Sequence, residues 1–304
     1  MMSTDKKPRI ISLGDIAWDF LLEAPQGLIW GSDVPGRVDF SYGGSACNFA
    51  VWASRCGAEV RLLGKVGDDL FGKLMVQHLK DEGVEFPLSP IPSVRTARIG
   101  VLVSPEGERA MVMDKDPRLA FSPADFALEL FEGFDLLFFT GYTVFNRSSV
   151  DFLELILTYA RKIGILIAFA PSSFHLMEKF GHQELIELVS PLDFLMLNED
   201  EALIFAGGED FTRMLTFTKM VVIKRGPRGA TALWDKKELS LPAFAASVLD
   251  TTGAGDAFDA AFLVSHLRGK SVEEALEQAN AIGGFVVGQK GAQPFWNIEK
   301  EVTL

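Results

Sequence analysis

Only two cysteines, Cys47 and Cys56, occur in the 304 residues. That is too few for a disulfide framework, and no second ligand pair joins them to hold zinc. They lie on what reads as one helix and are expected to be reduced and partly buried. Histidine is also scarce, with four residues, and none is spaced for a metal site or a nucleophile–base pair. His78, His182 and His266 fall in helical patterns and read as half-buried or solvated. No apolar run approaches the roughly 18 residues of a membrane span. Positive charge is short as well: 29 Lys and Arg face 41 Asp and Glu, a formal net charge of −12. This balance speaks against nucleic acid or an anionic membrane as the main partner, while a local basic pocket stays compatible with it. The start, Met-Met-Ser-Thr-Asp-Lys-Lys-Pro, runs straight into strand-like Arg9–Leu13 without a signal-peptide pattern, so the cytoplasm is the expected compartment.

Short β-rich runs alternate with helical patterns, which predicts parallel strands joined by crossover helices. The expected strands are Ile10–Leu13, Val60–Gly64, Asp135–Thr140, Leu166–Phe169, Phe194–Leu197 and Met220–Lys224. Helices are expected over Ala46–Cys56, Gly72–Glu82, Ser148–Lys162 and His182–Val189, with an antiparallel hairpin at Ala230–Trp234 and Glu238–Leu241. Two regions break this rhythm, at about 16–42 and 95–118. The second reads as a hairpin whose arms flank Pro105-Glu-Gly-Glu108. Gly67-Asp-Asp-Leu-Phe-Gly72-Lys73-Leu74 nearly matches a phosphate loop. Leu74 replaces the hydroxyl that would ligate magnesium, and Asp68 and Asp69 would repel phosphate, so a structural loop is expected.

The most informative stretch is Asp250-Thr251-Thr252-Gly253-Ala254-Gly255-Asp256, followed by an apolar run that reads as a buried helix ending at Arg268-Gly269. A glycine-rich turn opening a helix presents unpaired N–H groups and the positive end of the helix dipole, which suits an anion. An acid there can take a proton from a hydroxyl while the N–H groups hold the group that the hydroxyl attacks. The residues alone leave a tight turn with an N-capping Asp256 equally open.

Asp-Thr-Thr-Gly-Ala-Gly-Asp-Ala-Phe resembles the C-terminal signature of the ribokinase (PfkB) family of sugar and nucleoside kinases. Gly43-Gly44-Ser45-Ala46-Cys47-Asn48, with Gly64 through Gly72, resembles its N-terminal signature. The resemblance implies an α/β, ribokinase-like fold: three layers, α/β/α, with a mostly parallel central sheet and a small β-sheet lid. It implies one kinase domain over 1–304, its lid drawn from about 16–42 and 95–118, and dimers formed by pairs of lids. The implied reaction is ATP- and Mg2+-dependent phosphorylation of a sugar hydroxyl. Asp256 would be the base, and the N–H groups of Gly253, Ala254 and Gly255 the anion hole.

By the same resemblance, Asp19, with Asp15 as a weaker candidate, accepts hydrogen bonds from the sugar, and Gly43, Gly44 and Asn48 line its pocket. Ser45 stands where ribokinases carry Lys, which weakens a ribose assignment. Asn198 and Glu201 resemble an Asn-x-x-Glu motif that organises magnesium, usually through water. Lys224, Gly226, Gly229, Asn280 and Gly291 fall on the nucleotide side. Carbonyls near Asp250, Thr252 and Gly291 would hold a monovalent cation, potassium. Segment 170–175 lacks the Arg that the family's sugar-acid and fructose kinases often carry; a carboxylated sugar would lose an expected partner, which favours a neutral pentose or hexose such as fructose or ribose over ketodeoxygluconate. A nucleoside would need an aromatic clamp, for which Trp18, Phe40 and Tyr42 are the candidates. From another class, a sugar-binding protein without turnover is the rival reading, against which the intact Gly-Ala-Gly-Asp stands.

Overall fold

The computed structural model describes residues 6–104 and 109–295. Its strands are β1 (Arg9–Leu13), β2 (Ala17–Glu23), β3 (Arg37–Gly43), β4 (Glu59–Leu63), β5 (Val84–Glu85), β6 (Arg98–Val103) and β7 (Arg109–Asp114). They continue as β8 (Leu136–Thr140), β9 (Leu166–Ala170), β10 (Leu192–Asn198), β11 (Thr218–Lys224), β12 (Ala230–Trp234) and β13 (Lys237–Leu241). The first helices are α1 (Ser45–Arg55), α2 (Leu70–Asp81), α3 (Gly141–Val144), α4 (Val150–Ile163) and α5 (Phe174–Phe180). The rest are α6 (His182–Val189), α7 (Glu199–Ala206), α8 (Ala254–Leu267) and α9 (Val272–Val287).

One sheet runs β13-β12-β11-β10-β9-β8-β1-β4-β5, with every pairing parallel except β11–β12 and β12–β13. Its inner strands are apolar on both faces, as a sheet covered on both sides requires. Alternate residues divide between two cores. Ile10, Leu62, Phe138, Met196 and Val222 pack with α1, α8 and α9. Ile11, Leu63, Phe139, Leu197 and Ile223 pack with α4, α6 and α7. Three layers result. The expected strands and helices all form, with ends moved by one or two residues.

The chain turns from β1 to β4 on one side and reaches β8 on the other, so the sheet has its topological switch between β1 and β8. Ligands of open α/β sheets bind outside the strand ends at such a point. Over it lies a second sheet of four strands, ordered β3-β2-β6-β7, built from the two irregular regions. The expected turn at Pro105–Glu108 lies outside the described residues. The phosphate-loop lookalike is structural: Asp69 caps α2 by accepting from Gly72 N (2.9 Å) and also binds Thr96 Oγ1 (2.7 Å) and Arg98 Nη2 (2.8 Å). It thereby ties α2 to the lid sheet. Cys47 and Cys56 remain unpaired, and burial pushes both thiols up to about 12. Among the described residues no helix is long and apolar enough to cross a membrane.

Candidate active site

A cavity of about 710 Å³ opens between the switch point and the lid. Its floor carries Asp15, Gly44, Asn48, Gly253 and Asp256, and Asp250, Thr252 and Gly291 lie along its edge. The lid contributes alternate residues: Asp19 and Leu21 from β2, Asp39 and Ser41 from β3, Ile99 and Val101 from β6, Met111 and Met113 from β7. Register explains this set, because Asp19 pairs with Ser41 and Ile99, and Ile99 with Met113. Side chains two apart share a face.

The same rule takes two of the three expected clamp aromatics away from the cavity. Trp18 and Tyr42 belong to the opposite face, where Trp18 sits 4.5 Å from Tyr42 and 5.8 Å from Phe40, centroid to centroid, while Phe40 still reaches the cavity's rim. Trp18 is buried and donates to Phe71 O (3.0 Å). Phe145, after α3, is an aromatic lining residue that the sequence reading passed over.

Asp19 points into the cavity across Gly43. A Cβ at Gly43 would lie 2.4 Å from Asp19 Oδ2, so only glycine leaves room for the carboxylate. Burial, with the charges of Asp15 and Asp250, pushes Asp19 up to about 6. Asp15 has a different occupation. Its Oδ2 accepts from Ser45 N (2.9 Å) and its Oδ1 from Thr140 Oγ1 (3.1 Å), so it holds the start of α1 against β8. Gly44 is the N-cap residue of that helix.

Asp256 occupies the first turn of α8. Its Oδ2 accepts from Asn48 Nδ2 at 2.8 Å, which brings the two signatures together. Burial is the largest cause that pushes Asp256 up to about 7; Asp259 and Asp15 act in the same direction, while the Asn48 hydrogen bond and Lys224 oppose it. Gly253 enters the helix with φ 74°, and a Cβ there would meet Ala292 Cβ at 2.4 Å. The positive φ and the close approach of Ala292 both require glycine at 253, and the helix N-terminus that follows offers a cradle that suits an anion. Asp250 closes the edge: Oδ1 accepts from Thr252 N (3.0 Å) and Oγ1 (2.7 Å), and Oδ2 from Gly291 N (3.0 Å).

Asn198 and Glu201 form a reciprocal capping box on α7, with Glu201 N donating to Asn198 Oδ1 (2.8 Å) and Asn198 N to Glu201 Oε2 (2.9 Å). Glu201 is 2 % exposed, and burial raises its pKa while Lys224 opposes the rise. Lys224 contacts Asp259, a residue that the sequence reading did not select. A Cβ placed on Gly255 would stand 3.7 Å from Lys224 Nζ, so the ammonium lies next to the anion cradle. Gly226 opens the turn after β11, and Gly229 O closes it by accepting from Arg225 N (2.7 Å). Asn280 is buried and donates to Pro242 O (3.1 Å), fixing the segment after β13. Among the described residues no cluster of three His, Cys, Asp or Glu forms a metal site.

Residues 10–299 match the family model described as pfkB family carbohydrate kinase. The chain belongs to this family. It is 29% identical to the ribokinase of Bacillus subtilis (strain 168) over 255 residues, 83% of each chain. Adenosine kinase from Sinorhizobium meliloti superposes with a TM-score of 0.84 at 25% identity, covering 96% of this chain and 97% of that one. Arabidopsis thaliana ribokinase complexed with ribose and ATP gives 0.78 at 22% identity over 95% of both chains, a likeness of fold. The protein is thus a carbohydrate kinase of the pfkB family, a phosphotransferase with an alcohol acceptor.

Proposed function

We propose that this kinase transfers the γ-phosphoryl group of ATP to a hydroxyl of a neutral pentose or hexose such as fructose or ribose. The observation that carries the reading is the placement of Asp256 and Asp19 in one cavity, with Asp256 on the anion cradle and Asp19 on the lid. Asp256 accepts the proton of the attacking hydroxyl. The N–H groups of Gly253, Ala254 and Gly255 stabilise charge on the transferred group. Asp19, acceptor-only when ionised, binds paired sugar hydroxyls, and Gly43, Gly44 and Asn48 complete that pocket. Magnesium, when bound, would supply positive charge to offset that of the phosphates, and Glu201 with Asn198 would hold it, through water. Glu201 suits it, because Oε2 takes the Asn198 N–H and Oε1 has no partner among the described residues. Lys224 would meet phosphate beside the cradle, with Gly226, Gly229, Asn280 and Gly291 along the nucleotide. Carbonyls of Asp250, Thr252 and Gly291 would hold potassium beside the Asp250 charge.

The outer lid face exposes Val38, Phe40 and Val112, which supports pairing of two lids in a homodimer. The expected setting is cytoplasmic. A nucleoside is the second reading, favoured by the cavity's volume and by the apolar wall of Ile99, Val101, Met111 and Met113. ADP release measured across ribose, fructose, ketodeoxygluconate, inositol and nucleosides tests both. Preferred turnover of a nucleoside or of ketodeoxygluconate would overturn the neutral-sugar assignment.

A further inference from the structure

Four side chains run in line from α2 to Asp256 at the cavity floor. His78 Nε2 on α2 meets Gln293 Oε1 at 2.6 Å. Gln293 Nε2 donates to Asn48 Oδ1 at 2.8 Å, and Asn48 Nδ2 donates to Asp256 Oδ2 at 2.8 Å. The direction of this chain follows from its end. An ionised carboxylate only accepts, so Asn48 must present its NH2 to Asp256. Asn48 Oδ1 then faces Gln293, which must answer with its own NH2. Gln293 Oε1 is left facing the imidazole, and His78 must carry a proton on Nε2. Reversing any one link sets two donors or two acceptors against each other.

The line is held from outside. Helix α1 grips the chain on both sides of Gln293, with Trp52 Nε1 donating to Ala292 O (2.9 Å) and Arg55 Nη1 to Pro294 O (2.7 Å). The His78 ring lies flat on Tyr42, centroids 3.6 Å apart and planes 3° apart. Tyr42 belongs to β3, next to the cavity-facing Ser41. Asn48, placed in the substrate pocket by the family resemblance, therefore has both ends of its amide occupied.

We propose that His78 and Gln293 are positioning residues for phosphoryl transfer, which fix the Asn48 amide and through it aim the Asp256 carboxylate and keep it ionised. The proposal rests on the reading of Asp256 as the base. It does not need His78 to titrate. Burial lowers the His78 pKa, with Arg55 acting the same way and Gln293, Glu82 and Asp81 opposing, and Nε2 bears its proton in the cation and in the required neutral tautomer alike. The other charged groups that act on Asp256, namely Asp259, Lys224 and Asp15, are untouched by changes at 78 or 293.

Two variants test the line. His78→Phe keeps a ring against Tyr42 and removes the donor, and Gln293→Leu removes the middle link. The carboxyl of Asp256 is titrated by 13C NMR in the free protein and assigned with Asp256→Asn; kcat and KM are then measured against pH. Both variants should raise the Asp256 midpoint by about one unit, lowering kcat about fivefold at pH 7 through the smaller ionised fraction, with KM for ATP within about twofold. An unchanged midpoint in either variant, folded by circular dichroism, overturns the proposal. The NMR arm does not depend on turnover, so a fully active Asp256→Asn would remove the base assignment while leaving the midpoint result to decide the line.

Discussion

The ammonium of Lys224 meets both carboxylate oxygens of Asp259, at 2.8 and 2.7 Å, and Asp259 is 1 % exposed. β11 and α8 are joined at this point, one turn into α8 from Asp256. A charge buried with its partner is costly to strand, and removing one member of such a pair typically costs about 3–5 kcal/mol. Asp259→Ala and Lys224→Met should each lower Tm by several degrees, and Lys224→Met/Asp259→Leu should recover most of that loss. The double variant should still bind ATP more weakly, since the cationic group is gone. Scanning calorimetry and titration calorimetry read the two effects separately; a wild-type Tm for Asp259→Ala would show that the pair does not stabilise the fold.

Asp256→Asn should lower kcat by about 10²–10⁴-fold and leave ATP affinity intact. In the wild type, kcat should rise as pH passes through about 7, where Asp256 loses its proton. Stability moves the other way. The folded-state pKa lies above the ordinary 3.8, so the contribution of this group is fully present below about 4 and is lost as pH rises through about 7. Asp256→Asn removes that loss, so it should melt above the wild type at pH 8 and level with it near pH 4. Thermal melts at the two values decide the point.

The anion cradle is better tested at Gly255 than at Gly253. Valine at Gly253 would strain a positive φ and strike Ala292, so lost activity there would have two causes. Gly255 sits in the first turn of α8, where the nearest neighbour of an added Cβ is Lys224 Nζ at 3.7 Å. Gly255→Val should fold normally and slow transfer by about 10²-fold or more, because its side chain would bar the phosphoryl group from N–H donors whose loss has that usual effect. Normal turnover would reduce the glycine turn to a structural feature.

Asp19→Ala should cut kcat/KM for the sugar by about 10³-fold or more, and deoxy analogues should lose comparable rate with the wild type, because a buried carboxylate is left unpaired. Sugar KM should climb as pH falls through about 6, where Asp19 takes up a proton. Gly43→Ala offers an independent check: its methyl group would displace the Asp19 carboxylate without touching the nucleotide side. A Gly43→Ala enzyme with unchanged sugar KM would place the sugar elsewhere.

The strands, the crossover helices and the two signatures were legible in the sequence because each is local. Apolar periodicity marks a buried strand, and a glycine turn before an apolar run marks a helix entry. Asp259 was legible in principle: it lies three residues after Asp256 on the same helix, in an otherwise apolar run, and a buried acid there needs a cation. His78 and Gln293 gave no such signal. They lie 215 residues apart in the chain, and nothing local marks either one.

By itself the sequence determined the alternation of strands and crossover helices, the two segments that break it and the acid on the glycine turn, since each follows from patterns that span a few residues; the three layers and the lid came from the family resemblance. The tertiary structure alone decided which face of the lid meets the cavity. Whether Trp18 or Asp19 points inward depends on strand register, because a shift of one residue reverses every side chain. It also decided the partners of each buried charge. Asp15 is spent on α1, Asp256 is joined to Asn48, and Lys224 to Asp259, because in a low-dielectric interior a polar group must be satisfied by whatever the fold brings within hydrogen-bonding reach, however distant in the chain.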